Sequence, residues 1–118
     1  MIAIDIDRQS VAAGELVTGH VRWGAEDDRR ARQILVALEW RTDGAGNQVH
    51  GVSRAMRFVP RPGDRAAAFP FRLMAPHQGP VSFEGELITV SWFVKVRVDR
   101  PGFDEFGDKP FRVTLRRR

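Results

Sequence analysis

Residues 88–98 read Ile88-Thr89-Val90-Ser91-Trp92-Phe93-Val94-Lys95-Val96-Arg97-Val98. Ile88, Val90, Trp92, Val94, Val96 and Val98 occupy every second position, and Thr89, Ser91, Phe93, Lys95 and Arg97 fill the positions between them. Successive side chains of a strand point to opposite faces, so this run has one face for a core and one for water. Its valines and aromatics also suit a pleated, half-buried surface.

The same period of two recurs along the chain. Ile2, Ile4 and Ile6 alternate with Ala3 and Asp5, and Val17, Val21 and Trp23 with Thr18, His20 and Arg22. Val36, Leu38 and Trp40 alternate with Ala37, Glu39 and Arg41. Val52, Met56 and Phe58 are read as one face opposite Ser53 and Arg57, and Phe69, Phe71 and Leu73 as a face opposite Arg72. Phe111, Val113 and Leu115 stand against Arg112 and Thr114. These are seven candidate strands separated by turn residues: Ala13-Gly14, residues 43–47, Pro60-Arg61-Pro62-Gly63-Asp64, Gln78-Gly79-Pro80 and Pro101-Gly102. Pro62-Gly63 fits a type II turn, with proline fixing φ and glycine supplying a positive φ after it. The charged stretch Ala25 to Gln33 has little apolar stripe and reads as a loop. One polar and one apolar face per strand favours antiparallel pairing, and no convincing helical stretch supplies the crossovers of a parallel sheet. The expectation is an all-β, immunoglobulin-like antiparallel sandwich of about seven strands.

The chain has 118 residues, 42% of them hydrophobic, which suits one core and one domain over residues 1–118. It contains no cysteine. That excludes disulfides, thiol nucleophiles and thiolate zinc sites, and points to a reducing, cytoplasmic setting. Met1-Ile2-Ala3-Ile4-Asp5 lacks the basic start and apolar run of a signal peptide, and no stretch has the apolar length of a membrane-spanning helix. The formal net charge is +4, with fifteen acidic residues interspersed among nineteen basic ones. That balance permits contact with nucleic acid, acidic proteins or anionic lipid without requiring any of them.

Three segments carry a resemblance. Val11-Ala-Ala-Gly-Glu-Leu-Val-Thr-Gly-His-Val21 enters a strand from a turn; Phe69-Pro-Phe-Arg-Leu-Met-Ala-Pro76 precedes a loop; and Pro80-Val-Ser-Phe-Glu-Gly-Glu leads into the alternating run, followed by Phe111-Arg-Val-Thr-Leu115. In order and spacing they resemble the arrestin-like superfamily, whose members include arrestins, the cargo-binding subunit of retromer and bacterial sporulation-control proteins. The resemblance implies a sandwich that serves as an adaptor or scaffold. Those relatives usually join two sandwiches, so a second copy of this chain is one expected partner. Arrestins sense phosphate through a lysine pair beside the first strand; here that neighbourhood reads Asp5-Ile6-Asp7-Arg8-Gln9, and phosphate sensing is not carried over.

Nothing in the pattern forms a catalytic constellation. His20, His50 and His77 are scattered, and no serine lies in a nucleophile elbow. Asp27-Asp28 and the carboxylates Asp99, Asp104, Glu105 and Asp108 are the acidic clusters, the second read as a solvated loop rather than a calcium cage. Gly44-Ala45-Gly46 lacks the lysine-bearing helix of a phosphate loop and reads as a hairpin tip. No catalytic, metal-binding or cofactor-binding residue is assigned, and no cofactor is expected.

The last hairpin is more informative. Folding about Asp104-Glu105 would set Arg97 opposite Arg112 and Lys95 near Thr114, and Arg116-Arg117-Arg118 extends the same end. Phe93, Lys95, Arg97, Arg112 and Arg116 are therefore the candidate partner-binding residues. The expected function is non-catalytic protein interaction. The alternative is binding of nucleic acid or an anionic membrane through the arginine-rich face and tail.

Overall fold

The structure is a computed structural model that describes residues 1–27, 30–44, 49–77, 79–84 and 88–115, with the side chains of 88 and 89 outside that set. Among the described residues there are nine strands: β1 Ile2–Ile6, β2 Ser10–Ala12, β3 Leu16–Gly24, β4 Gln33–Gly44, β5 His50–Phe58, β6 Ala66–Met74, β7 Phe83–Glu84, β8 Ile88–Asp99 and β9 Glu105–Thr114. The small sheet has the order β1-β3-β6; the large one runs β2-β9-β8-β4-β5, with β7 on β8. The seven alternating segments all form strands. The two additional ones have three and two residues.

The inward positions of the alternating runs make the core. Val17, Val21 and Trp23 of β3 and Phe69, Phe71 and Leu73 of β6 are buried. They meet Ile34, Val36 and Leu38 of β4, Trp92, Val94, Val96 and Val98 of β8, and Phe111 and Val113 of β9. Each such side chain contributes about 1.5–3 kcal/mol through the apolar surface it removes from water. The Trp92 indole donates to the Pro80 carbonyl at 2.8 Å, the backbone bond expected of a core tryptophan. The buried Trp23 indole N–H, by contrast, makes no hydrogen bond among the described residues. Trp40 is half-buried at the rim of the core.

Pro62-Gly63 forms the expected turn, with Gly63 at φ +98° and the Asp64 amide donating to the Arg61 carbonyl at 3.0 Å. Pairing is antiparallel except between β2 and β9, where Ser10 to Ala12 run parallel to Arg112 to Thr114.

Two expectations are corrected. Val52 does not share a face with Met56 and Phe58. β5 carries a bulge, so that Leu38 pairs with Arg54 but Glu39 pairs with Val52. The extra residue flips the alternation beyond it and leaves Val52 exposed on the outer face. The shift also sets Gly51 opposite Trp40, where a Cβ would lie 2.6 Å from the indole nitrogen; an unbulged strand would put Val52 there.

The last hairpin also has a different register. Arg97 faces Phe106 and Lys95 faces Asp108, so Arg97 is not opposite Arg112. The chain turns at Pro101-Gly102, with Gly102 at φ +90°, rather than at Asp104-Glu105, and β9 already begins at Glu105. The first half of β9 shows no apolar alternation because β1 packs beside it. A Cβ on Gly107 would come within 3.1 Å of Ile2, so the position admits no larger side chain without a shift of its neighbour.

Candidate functional site

The outward residues of β4, β8 and β9 form one continuous face. Cross-strand pairing sets Glu39 beside Phe93, Ala37 beside Lys95 and Arg41 beside Ser91. On the other side Phe93 faces Pro110 and Lys95 faces Asp108. Phe93, Lys95, Arg97 and Arg112 thus lie on this face, as the alternation predicts. Arg97 and Arg112 stand at opposite ends of it, about 20 Å apart along the strands. Arg116 and the rest of the terminal arginine run lie outside the described residues.

Sequence reasoning assigned basic residues to this face and missed what answers them. Glu39 is almost wholly buried although it occupies an outward position. The Arg41 Nε donates to its Oε1 at 2.5 Å, and the Lys95 ammonium lies 3.3 Å from its Oε2. Arg41 also donates through Nη2 to Asp108 at 2.9 Å, and its guanidinium sits 4.0 Å over the Phe93 ring. The Lys95 ammonium is 5.6 Å from the Phe106 ring centroid. Arg97 donates through Nε to Asp104 at 2.9 Å. Among the described residues, Arg112 makes no ion pair. The stripe is therefore largely neutralised from neighbouring strands. Exposed pairs of this kind add little stability, but the buried Glu39 depends on its two cations.

Burial alone raises the Glu39 pKa. The hydrogen bonds and charges of Arg41 and Lys95 outweigh that effect and hold the carboxyl below its ordinary 4.5. A folded-state pKa below the unfolded one means that the unfolded chain takes up the proton first as pH falls. This stabilisation is present above about pH 4.5 and is lost as pH drops through the folded value. Glu39→Gln should thus lower stability at neutral pH and flatten the loss between about pH 5 and pH 3, read from urea midpoints across that range. A slope unchanged by the substitution would mean that other carboxylates govern acid unfolding.

Two open depressions flank Phe93. One, of about 510 Å³, is bounded by Glu39, Arg41, Asp43, Val49, His50 and Phe93. The other, of about 220 Å³, lies among Phe83, Glu84, Phe93, Pro110 and Arg112. Phe83 and Phe106 are exposed nearby.

The histidines are separate: His20 is exposed on β3, His50 begins β5, and the His77 ring lies over Gly14. No group of three or more His, Asp or Glu that could hold a metal occurs among the described residues. The carboxylates read as an acidic loop are each engaged: Asp99 with Gln33 and Arg32, Asp104 with Arg97, Glu105 with Arg100, and Asp108 with Arg41. Asp27 pairs with Arg100, while Asp28 and residues 45–46 lie outside the described residues. No helix among the described residues is long and apolar enough to cross a membrane.

No family model matches the chain, and no curated protein matches its sequence. Among solved structures it is similar to Spo0M, the sporulation control protein of Bacillus subtilis, with a TM-score of 0.70 and 20% sequence identity. The match covers 98% of this chain and 49% of that one, so the chain spans about half the length of Spo0M. At that identity the likeness is one of fold, and the fold of this chain is an arrestin-like all-β sandwich.

Proposed function

We propose that the chain is a non-catalytic, cytoplasmic protein-interaction module of adaptor or scaffold type, with residues 1–118 acting as one domain. It docks another protein on the outer face of the large sheet. Phe93, Lys95, Arg97 and Arg112 belong to the contact surface, and Arg116 extends it. The observation that carries this reading is the pairing of Arg41, Lys95 and Arg97 with Glu39, Asp108 and Asp104 around Phe93. Such a face is ordered before binding and presents aromatics and arginine, the residue types that anchor protein interfaces. A nucleic-acid or anionic-membrane surface needs cations left open to phosphate, and here three of them are already engaged. A fold like that of Spo0M is compatible with a regulatory or adaptor role.

The test immobilises the chain, identifies what it retains by mass spectrometry, and measures the purified partner's Kd at two salt concentrations. Phe93→Ser with Arg112→Glu should weaken binding by about tenfold or more while the melting curve stays cooperative. The wild-type Kd should rise by no more than about tenfold between 50 and 200 mM salt. A loss of affinity of about a thousandfold between 50 and 200 mM salt would instead establish the phosphate-binding alternative. Capture of a second copy, seen as a dimer by light scattering, would identify the chain as its own partner.

A further inference from the structure

The net charge is not spread over the molecule. Residues 50–72 hold five of the nineteen basic residues and one of the fifteen acidic ones. That segment carries a net +4, residues 109–118 carry +5, and the remainder of the chain carries −5. The 50–72 segment comprises β5, the turn after it and β6 as far as Arg72.

β5 ends the large sheet and pairs only with β4. β6 ends the small sheet behind it, and the two meet through the stacked rings of Phe58 and Phe69, whose centroids are 4.2 Å apart. Among the described residues no strand lies on the other edge of β5. Beyond the bulge, Arg54 to Phe58 pair regularly with Leu38 to Ile34. Those five residues span about 17 Å of regular backbone, a normal strand length. Arg54 and Arg57 stand on opposite sides of it. Both are exposed, as is Arg61 in the following turn, and none of the three makes an ion pair among the described residues.

We propose that the edge of β5 over Arg54–Phe58 takes up an extended acidic segment of a partner protein as an added strand; this rests on the interaction-module reading above. The unpaired backbone supplies the hydrogen bonds of strand addition. Arg54 and Arg57 then flank the incoming strand on both faces, and Arg61 meets its end. Charges on an edge strand also guard against edge-to-edge pairing. Guarding works with either sign, whereas this edge carries one sign only. A nucleic acid would use the arginines but not the backbone edge. It would also want open aromatic platforms, and here Phe58 and Phe69 stack on one another.

The test uses the full chain and a blocked peptide alternating glutamate and valine, about nine residues long. Its lysine counterpart and a copy N-methylated at alternate residues serve as controls. Backbone amide shifts should move at Arg54–Phe58. The glutamate peptide should bind about tenfold or more tightly than either control. R54E/R57E, at exposed sites, should lower its affinity by a similar factor while the melting temperature holds. Shifts centred on Ser91–Lys95, or affinity indifferent to N-methylation, would overturn the proposal. So would tighter binding of a single-stranded oligonucleotide or of phosphatidylglycerol vesicles through the same arginines. If the peptide fails while Phe93→Ser with Arg112→Glu still releases the captured partner, the edge assignment falls and the interaction-module reading stands.

Discussion

Trp92→Ala should cost about 3–5 kcal/mol and lower the melting temperature by roughly 10–25 °C. Trp92 is fully buried on the inward face of β8, opposite Phe111 on one side and Trp40 on the other. Its ring lies 6.1 Å from that of Phe111 in a tilted arrangement. Alanine there leaves a void between two sheets that cannot both close on it, because each is held by its own ladders. It also strips the Pro80 carbonyl of its donor, the bond that ties the segment before β7 to the core. Trp92→Phe separates the two effects. It keeps the six-membered ring, loses the hydrogen bond and leaves only a small void, so it should cost about 1–2 kcal/mol. Urea unfolding followed by circular dichroism measures both. Equal losses would mean that the Pro80 bond, not ring volume, dominates.

Arg100→Ala should be comparably severe, at about 3–5 kcal/mol. Arg100 is 3% exposed. Its guanidinium pairs with Glu105 at 2.5 Å and with Asp27, and it lies 4.9 Å from the Phe103 ring centroid and 5.8 Å from that of Trp23. One side chain therefore joins the end of β8, the start of β9 and the segment after β3. Burial alone raises the Glu105 pKa, but hydrogen bonds from the chain's terminal ammonium and from Arg100 outweigh it, and the carboxyl rests below its ordinary value. Removing the arginine leaves the half-buried Glu105 with the terminal ammonium as its remaining ion-pair partner. Asp27 is more exposed and better screened, so its share of the loss is smaller. Arg100→Met with Glu105→Gln removes both charges and should recover part of what Arg100→Met loses alone. A double-mutant cycle reads the coupling; a value near zero would assign the effect to lost packing over Trp23 and Phe103.

What was legible in the sequence followed from how far each signal reaches. The run through Val90 to Val98 is long and strictly alternating, and its burial follows directly. β2 and β7 are too short to show a period and exist because longer strands offer them an edge. The bulge in β5 has no local mark; the need for Gly51 under Trp40 arises only when two strands are paired. In the last hairpin the deciding signal was Pro101-Gly102, the same dipeptide that marks the turn at Pro62-Gly63. Its weight was masked by the acidic residues that follow. Phe93, Lys95 and Arg97 could be placed on one face from alternation alone. Glu39, Arg41 and Asp108 could not be joined to them, because that needs the registers of β4 and β9 against β8.

The parallel pair between β2 and β9 bears on how the chain reaches its native state. Ser10 pairs with Arg112, so two elements separated by almost the whole chain must meet before either edge is closed. Closing so long a loop is entropically costly, and sandwiches dominated by such distant pairings fold in milliseconds to seconds rather than microseconds. During synthesis β1 to β6 emerge before the strand that seals Val11 and Ile4 into the core, and their apolar faces stay open until β9 arrives. Pro70, on the terminal strand of the small sheet, has no amide hydrogen to offer a neighbouring chain at that stage.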